Sequence, residues 1–224
     1  MSVVGVDGCK SGWIAVVIRD GSVYVHHLSG IEVLAEKIPD VEAIAIDIPI
    51  GLLEVGKRTA DLAAMKELHK RANTVFLAPV RHVLSADSYL EANELSKQVG
   101  GYGLSRQAYA LFPKIRQVDE WLSSAPCPVW EIHPELSFAK LNESVPLPSK
   151  RSWTGMMMRR EILKRVGIDL DHVAGSVGEE ASVDDMLDAG IAAHTAWEIL
   201  ARRAQPIPET PEFDSKGREI AIWV

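Results

Sequence analysis

Five aspartates in this chain end or interrupt runs of residues that belong in an apolar interior. Asp7 closes the run VVGVD and is bracketed by Gly5, Gly8 and Gly12. Asp47 closes VEAIAID, a second apolar run rich in β-branched residues, and Pro49 and Gly51 come just after it. Near the other end, VDDMLDAG places Asp185 and Asp188 three apart and Asp184 and Asp188 four apart, so either pair can share a helix face. A lone carboxylate leaves water only at high cost unless it is paired, hydrogen-bonded or metal-bound. Two of them side by side repel unless a cation or a shared proton compensates. Hard divalent cations such as Mg²⁺ and Mn²⁺ select oxygen donors of this kind. Two such cations about 4 Å apart can clamp the attacking and leaving oxygens of a phosphodiester. Taken singly, each acid has a simpler use. A strand-end aspartate serves turns, and Asp184 suits the positive end of a helix dipole.

Other polar motifs can assist. In EIHPE, Glu131 and His133 are two apart on a strand and so share a face. Glu131 can add a ligand, and His133 can act as a base or hold a phosphate, although His-Pro also simply ends strands. GLSRQAY sets Ser105 and Arg106 at a helix start, where free N–H groups receive anions. Arg81, Lys150, Arg151 and Lys10 of the DGCKSGW hairpin are further candidates for substrate binding, with capped helices and surface ion pairs as the plain alternative. Cys9 lacks a partner for nucleophilic chemistry and reads as a small turn residue. Trp13 and Trp130 read as core.

These groups need elements to hold them. VVGVDG, GWIAVVIRD and GSVYVHHLS read as three strands, with Asp20-Gly21 as a hairpin signal between the last two. A helical stretch near IEVLAEKI precedes VEAIAIDIPIGL, which has the continuous apolar pattern of a strand covered on both faces. If the first and fourth strands are neighbours, Asp7 and Asp47 lie side by side where ligands of such sheets gather. Residues 57–125 read as a helical insertion, with Pro113 kinking SRQAYALFPKIRQVDEWLSS. CPVWEI returns to strand, ASVDDMLDAGIAAHTAWEILARRA is a long helix capped by Ser182, and REIAIWV is a closing strand. The expectation is one α/β domain over 1–224 with a mixed sheet.

The 224 residues carry a net charge of −7, which disfavours a protein that coats nucleic acid. Charge is uneven, however. Lys150, Arg151, Arg159, Arg160, Lys164 and Arg165 stand against Glu161 alone, a basic run that can meet phosphates at a localised site or form a solvated face. No stretch has the length of a membrane span and no signal core opens the chain, so no membrane is expected and the cytosol is the default compartment. Two cysteines make no disulfide framework, and a homodimer is left open.

In order along the chain, VGVDGCKSGW, DIPIGL, FLAPVR, GLSRQAYALFPKIRQVDEWL, EIHPELSF, SKRSWTG and VDDMLDAGIAAHTA resemble the predicted ribonuclease H-like nuclease family, domain of unknown function 429. The resemblance implies a ribonuclease H-like five-stranded mixed sheet flanked by helices. It implies a nuclease or phosphodiesterase dependent on Mg²⁺ or Mn²⁺, with ligands from the first strand, the fourth strand and the last helix. Those positions are Asp7, Asp47, and Asp185 with Asp188, with Glu131 assisting. Two other readings stay open. DGCKSGW loosely resembles the phosphate hairpin of actin-like sugar kinases, which carry two copies of the fold, and a non-catalytic binding or scaffold member would keep the fold alone.

Overall fold

A computed structural model of the protein describes residues 1–171, 173 and 180–224. In chain order, strands β1 (Ser2–Cys9), β2 (Gly12–Arg19) and β3 (Ser22–Leu28) come first. A short helix α1 (Leu34–Lys37) and strand β4 (Ala43–Ile46) come next. Helices α2 (Thr59–Leu68), α3 (Tyr89–Leu95), α4 (Arg106–Ala110) and α5 (Phe112–Trp121) occupy the middle of the chain. Then come β5 (Val129–Glu131), α6 (Pro134–Leu141), α7 (Trp153–Arg165), α8 (Val183–Leu200), β6 (Pro206–Phe213) and β7 (Glu219–Trp223). No helix among the described residues is long and apolar enough to cross a membrane.

The chain divides into two compact units. The first takes residues 1–48, 121–205 and 223–224 and contains a five-stranded sheet of order β3-β2-β1-β4-β5. β1, β2 and β3 are antiparallel neighbours, whereas β4 runs parallel to β1 and β5 parallel to β4. The α/β class and the mixed sheet expected from the alternating and continuous apolar runs are therefore observed. The β2–β3 connection is dictated by its residues: Asp20 and Gly21 both have positive φ, at 49° and 80°, as a tight hairpin of type I′ demands.

Strand alternation sorts the side chains. Val3, Ala43, Ala45 and Ile132 pack with Ala192 and Ala196 of α8, and Cys9 packs with Ala189 and Ala193. Odd positions of β1 therefore face α8. Gly5 is the point of closest approach, because a Cβ there would stand 1.9 Å from the Ala193 nitrogen and 2.2 Å from the Ala189 carbonyl oxygen. A glycine on the strand and a stripe of alanines on the helix let α8 lie directly on the sheet.

The second unit takes residues 49–120 and 206–222. It holds α2 to α4, most of α5 and the two-stranded β6-β7 sheet. The helix expected to be kinked at Pro113 is two helices, α4 and α5, with Pro113 at the second position of α5, where a missing N–H costs no intrahelical bond.

Candidate metal centre

Asp7 lies on the α8 side of β1, in line with Val3 and Gly5. Asp47 comes directly after the last residue of β4, and its N–H donates to the Val6 carbonyl at 3.0 Å, so it extends the β1–β4 register as the neighbour of Asp7. Asp188 is carried by α8 and is only 2% exposed, against 8% for Asp7. Two parallel strand ends and the helix laid across them thus bring three carboxylates together.

Their electrostatics show how crowded they are. Burial first, and then the charges of Asp47 and Asp188, push the Asp7 carboxyl well above the ordinary carboxylate range. Asp47 is pushed up to about 8 by burial, then by Asp188, with Lys150 opposing and Glu131 and Glu135 adding to the rise. Asp188 is pushed up to about 6 by burial, against the pull of Lys150. The Lys150 ammonium donates to Asp188 and stands 3.8 Å from Asp184. Burial pulls its pKa down, but Asp188, Asp47 and Asp7 outweigh burial and hold it above the ordinary lysine value. Lys150, helped at Asp188 by the charge of Arg159, faces an acidic cluster that would carry at least three charges.

Lys150 owes its place to a clamp between α7 and the segment before it. Ser152 caps α7 by accepting from the Gly155 N–H at 3.1 Å, and its hydroxyl donates to the Ser149 carbonyl at 2.7 Å. Arg159 donates to the Pro148 and Gly155 carbonyls, both at 2.9 Å. It also makes a two-pronged pair with Glu135, at 2.8 and 2.7 Å. A Cβ on Gly155 would stand 2.1 Å from the Ser149 carbonyl oxygen, so the SKRSWTG motif needs glycine there. Glu135 did not stand out in the sequence, and the buried Arg159 was visible there only as one member of the basic run. Nothing in EIHPE or SKRSWTG taken singly hints that the two motifs meet.

Asp185, expected as a ligand, is part of a capping box: its carboxylate accepts from the Ser182 N–H at 2.9 Å and its own N–H donates to the Ser182 hydroxyl at 3.3 Å. The helix-end role read for Asp184 is shared, since both acids lie in the first turn of α8, and Asp184 accepts from the Ser182 hydroxyl at 2.8 Å. Partial burial raises the Asp184 pKa, but Ser182 and Lys150 more than offset this and hold it below the usual range. The spacing Ser182 to Asp185 is itself a capping-box signal that sequence reading could have used. Asp185 is still close enough for its charge to raise Asp7.

Glu131 is buried and pairs in register with Ile46, which puts it on the sheet face opposite Asp47 while its charge still reaches Asp47. His133 caps the start of α6, and its carbonyl accepts from Leu136 and Ser137. Lys10 and Arg151 are exposed, and Arg151 contributes to holding Asp184 down. Three candidates belong to the second unit. There Arg81 donates to Asp119 at 3.0 and 2.9 Å and to Asp214 at 2.6 Å. Ser105 caps α4 by accepting from Ala108 at 3.0 Å, and Arg106 stacks 4.6 Å over the Tyr89 ring.

No set of three or more His, Cys, Asp or Glu side chains among the described residues is arranged so that it could hold a metal ion. The donor chemistry nevertheless fits a hard cation. All the donors are carboxylate oxygens, and the buried Asp188 Oδ1 has no hydrogen-bond partner among the described residues. A buried acceptor left unmet is costly and marks a missing partner.

Fold and site together define an α/β protein whose mixed sheet carries a buried acidic cluster at parallel strand ends. The chain belongs to the family described as protein of unknown function (DUF429), whose model matches residues 5–213. Neither a curated protein nor a solved structure matches it.

Proposed function

We propose that the chain is a metal-dependent phosphodiesterase of the ribonuclease H-like type, acting on nucleic acid with Mg²⁺ or Mn²⁺. The observation that carries this reading is the convergence of Asp7, Asp47 and Asp188, all pushed toward protonation, with an unmet acceptor on Asp188. The sheet order β3-β2-β1-β4-β5 with only the first three strands antiparallel supports the fold assignment. Asp7, Asp47 and Asp188 would hold the cation, with Asp185 and Glu131 adding negative field. A divalent cation there supplies Lewis acidity toward a phosphoryl oxygen and a water acidic enough to ionise near neutrality.

The chain's own groups supply the rest. Lys150 is free to leave Asp188 for a phosphate once the carboxylates are otherwise neutralised. Arg151, next to it, adds positive charge at the same edge. Trp153, 74% exposed at the start of α7, offers a face on which a base can stack. It is three residues from Lys150, and so within about 11 Å along the chain. His133 and Lys10 are secondary candidates for substrate contact.

The test is cleavage of a labelled panel: single-stranded and duplex DNA, RNA, an RNA–DNA hybrid and a four-way junction, with Mn²⁺, Mg²⁺ or EDTA. Wild type should cut at least one member only with metal, and Asp7→Asn should cut none. Metal-independent cleavage, or cleavage that survives in Asp7→Asn, would overturn the reading. Binding without any cleavage would favour the non-catalytic member of the fold, for which the Lys150–Asp188 pair is a ready structural filler.

A further inference from the structure

Outside the acidic cluster, three other side chains stand in the order nucleophile, base, carboxylate. Lys10 and Ser11 form the tight connection between β1 and β2. Ser11 Oγ lies 3.0 Å from His27 Nε2, and His27 Nδ1 lies 3.4 Å from the Glu180 carboxylate. Ser11 is exposed, while the His27 side chain is largely covered at 18%. The β2–β3 register pairs Ile14 with His27 and Trp13 with Leu28, which fixes the imidazole beside the start of β2. Gly12 lets the tip close on it, because a Cβ there would stand 2.0 Å from the Leu28 carbonyl oxygen and 3.2 Å from His27 Nε2. The Ser11 hydroxyl has two other groups within reach, the Glu180 carbonyl at 3.4 Å and the Cys9 sulfur at 3.9 Å, and the imidazole nitrogen is the nearest of the three.

We propose that Ser11, His27 and Glu180 form a second, metal-independent hydrolytic site that takes small acyl esters. Neutral His27 receives the Ser11 hydroxyl proton at Nε2 as Oγ bonds to the acyl carbon. The carbon–oxygen bond to the alcohol then breaks, and the imidazolium returns the proton to the departing alkoxide. Water repeats the sequence: it gives a proton to Nε2 and adds to the acyl carbon, the bond to Oγ breaks, and Oγ takes the proton. The sum is ester plus water to acid plus alcohol. Glu180 is a positioning residue. Its carboxylate, 3.4 Å from Nδ1, favours a proton on Nδ1, which leaves Nε2 free as the base, and it steadies the imidazolium. Lys10, exposed and in no ion pair among the described residues, brings positive charge to the tip where the oxyanion develops. An exposed Ser11 receives short, unhindered acyl groups directly from solvent.

The experiment is labelling of the full chain with a fluorophosphonate probe in EDTA, with peptide mapping of the product. In that reaction Oγ displaces fluoride at phosphorus. The adduct should fall on Ser11 and be absent in Ser11→Ala, whose melting temperature should match wild type. His27→Ala should slow labelling by about 100-fold or more and remove the ionisation from its pH profile. Glu180→Gln should slow it and shift the pH profile, with Glu180→Asp restoring part of the rate. No adduct, an adduct elsewhere, or equal rates in wild type and His27→Ala would overturn the proposal. Working in EDTA keeps the outcome separate from the acidic centre, whose failure to bind metal would leave this site standing.

Discussion

At the scale of single residues, the acidic cluster ties stability to pH in an unusual direction. Asp47 ionises near the ordinary carboxylate value in the unfolded chain but keeps its proton up to about 8 in the folded one. Between those values the folded state binds more protons, so stability falls as pH rises through that window. Asp47→Asn removes the charge while keeping the shape. In EDTA at pH 8 it should therefore raise the melting temperature by a few degrees, at roughly 2–4 °C per kcal/mol for a chain of this size. The same substitution at pH 4 should change little, and thermal melts at the two pH values check both signs. Lys150 gives the complementary prediction. Lys150→Ala removes a resident cation that competes for Asp188, so Mn²⁺ should bind about tenfold more tightly, an effect on the order of 1.4 kcal/mol, while cleavage slows. Asp7 and Asp47 were readable in the sequence because an apolar run that ends on an acid is conspicuous. The Lys150–Asp188 contact was not, since it joins residues 38 apart through a loop whose shape depends on Arg159 and Gly155.

At the scale of elements, the centre exists because α8 lies almost in contact with β1. Gly5→Ala drives a Cβ into the backbone of α8, where neither helix nor strand can yield cheaply. Overpacking of this kind costs about 1–3 kcal/mol or more. The variant should melt lower, and metal binding should weaken because Asp188 moves with the helix; calorimetric melts and a Mn²⁺ titration check both. Breaking the Glu135–Arg159 pair should be worse. Glu135→Ala strands a fully buried guanidinium, which costs about 3–5 kcal/mol and loosens the segment that presents Lys150. The elements themselves were largely readable. Hydrophobic period separated strands from helices, and Asp20-Gly21 announced its hairpin. β6 escaped because PIPETPEF holds three prolines, a composition that argues against a central strand, yet it is tolerated in a two-stranded ribbon where half of the N–H groups need no partner. The break between α4 and α5 at Leu111 likewise comes from the proline two residues on, because Pro113 starts a new helix more readily than it bends an old one.

At the scale of the molecule, the basic run from Lys150 to Arg165 is mostly used internally. Lys150 pairs with Asp188, Arg159 with Glu135, and Arg160 and Lys164 with Asp171. Arg151 and Arg165 alone in that run have no ion pair among the described residues. A chain of net charge −7 with so few free cations should bind single strands with a shallow salt dependence. The slope of log K against log salt should lie between about −1.4 and −2.1, as expected for two or three phosphates, and anisotropy titrations across salt concentrations measure it. Sequence alone left both readings of this patch open because it counts charges without their partners. It located the strand-end acids better, since their chemistry is fixed by the few residues on either side.

The most direct test of the acidic centre is calorimetric titration of Mn²⁺ into the metal-free protein at pH 7, in two buffers of different ionisation enthalpy. Carboxyls that hold protons at that pH must release them when a cation binds. Wild type should bind with net proton release, and Asp7→Asn should lose most of the affinity. Absence of binding, or equal binding by Asp7→Asn, would contradict a cation site built from Asp7, Asp47 and Asp188.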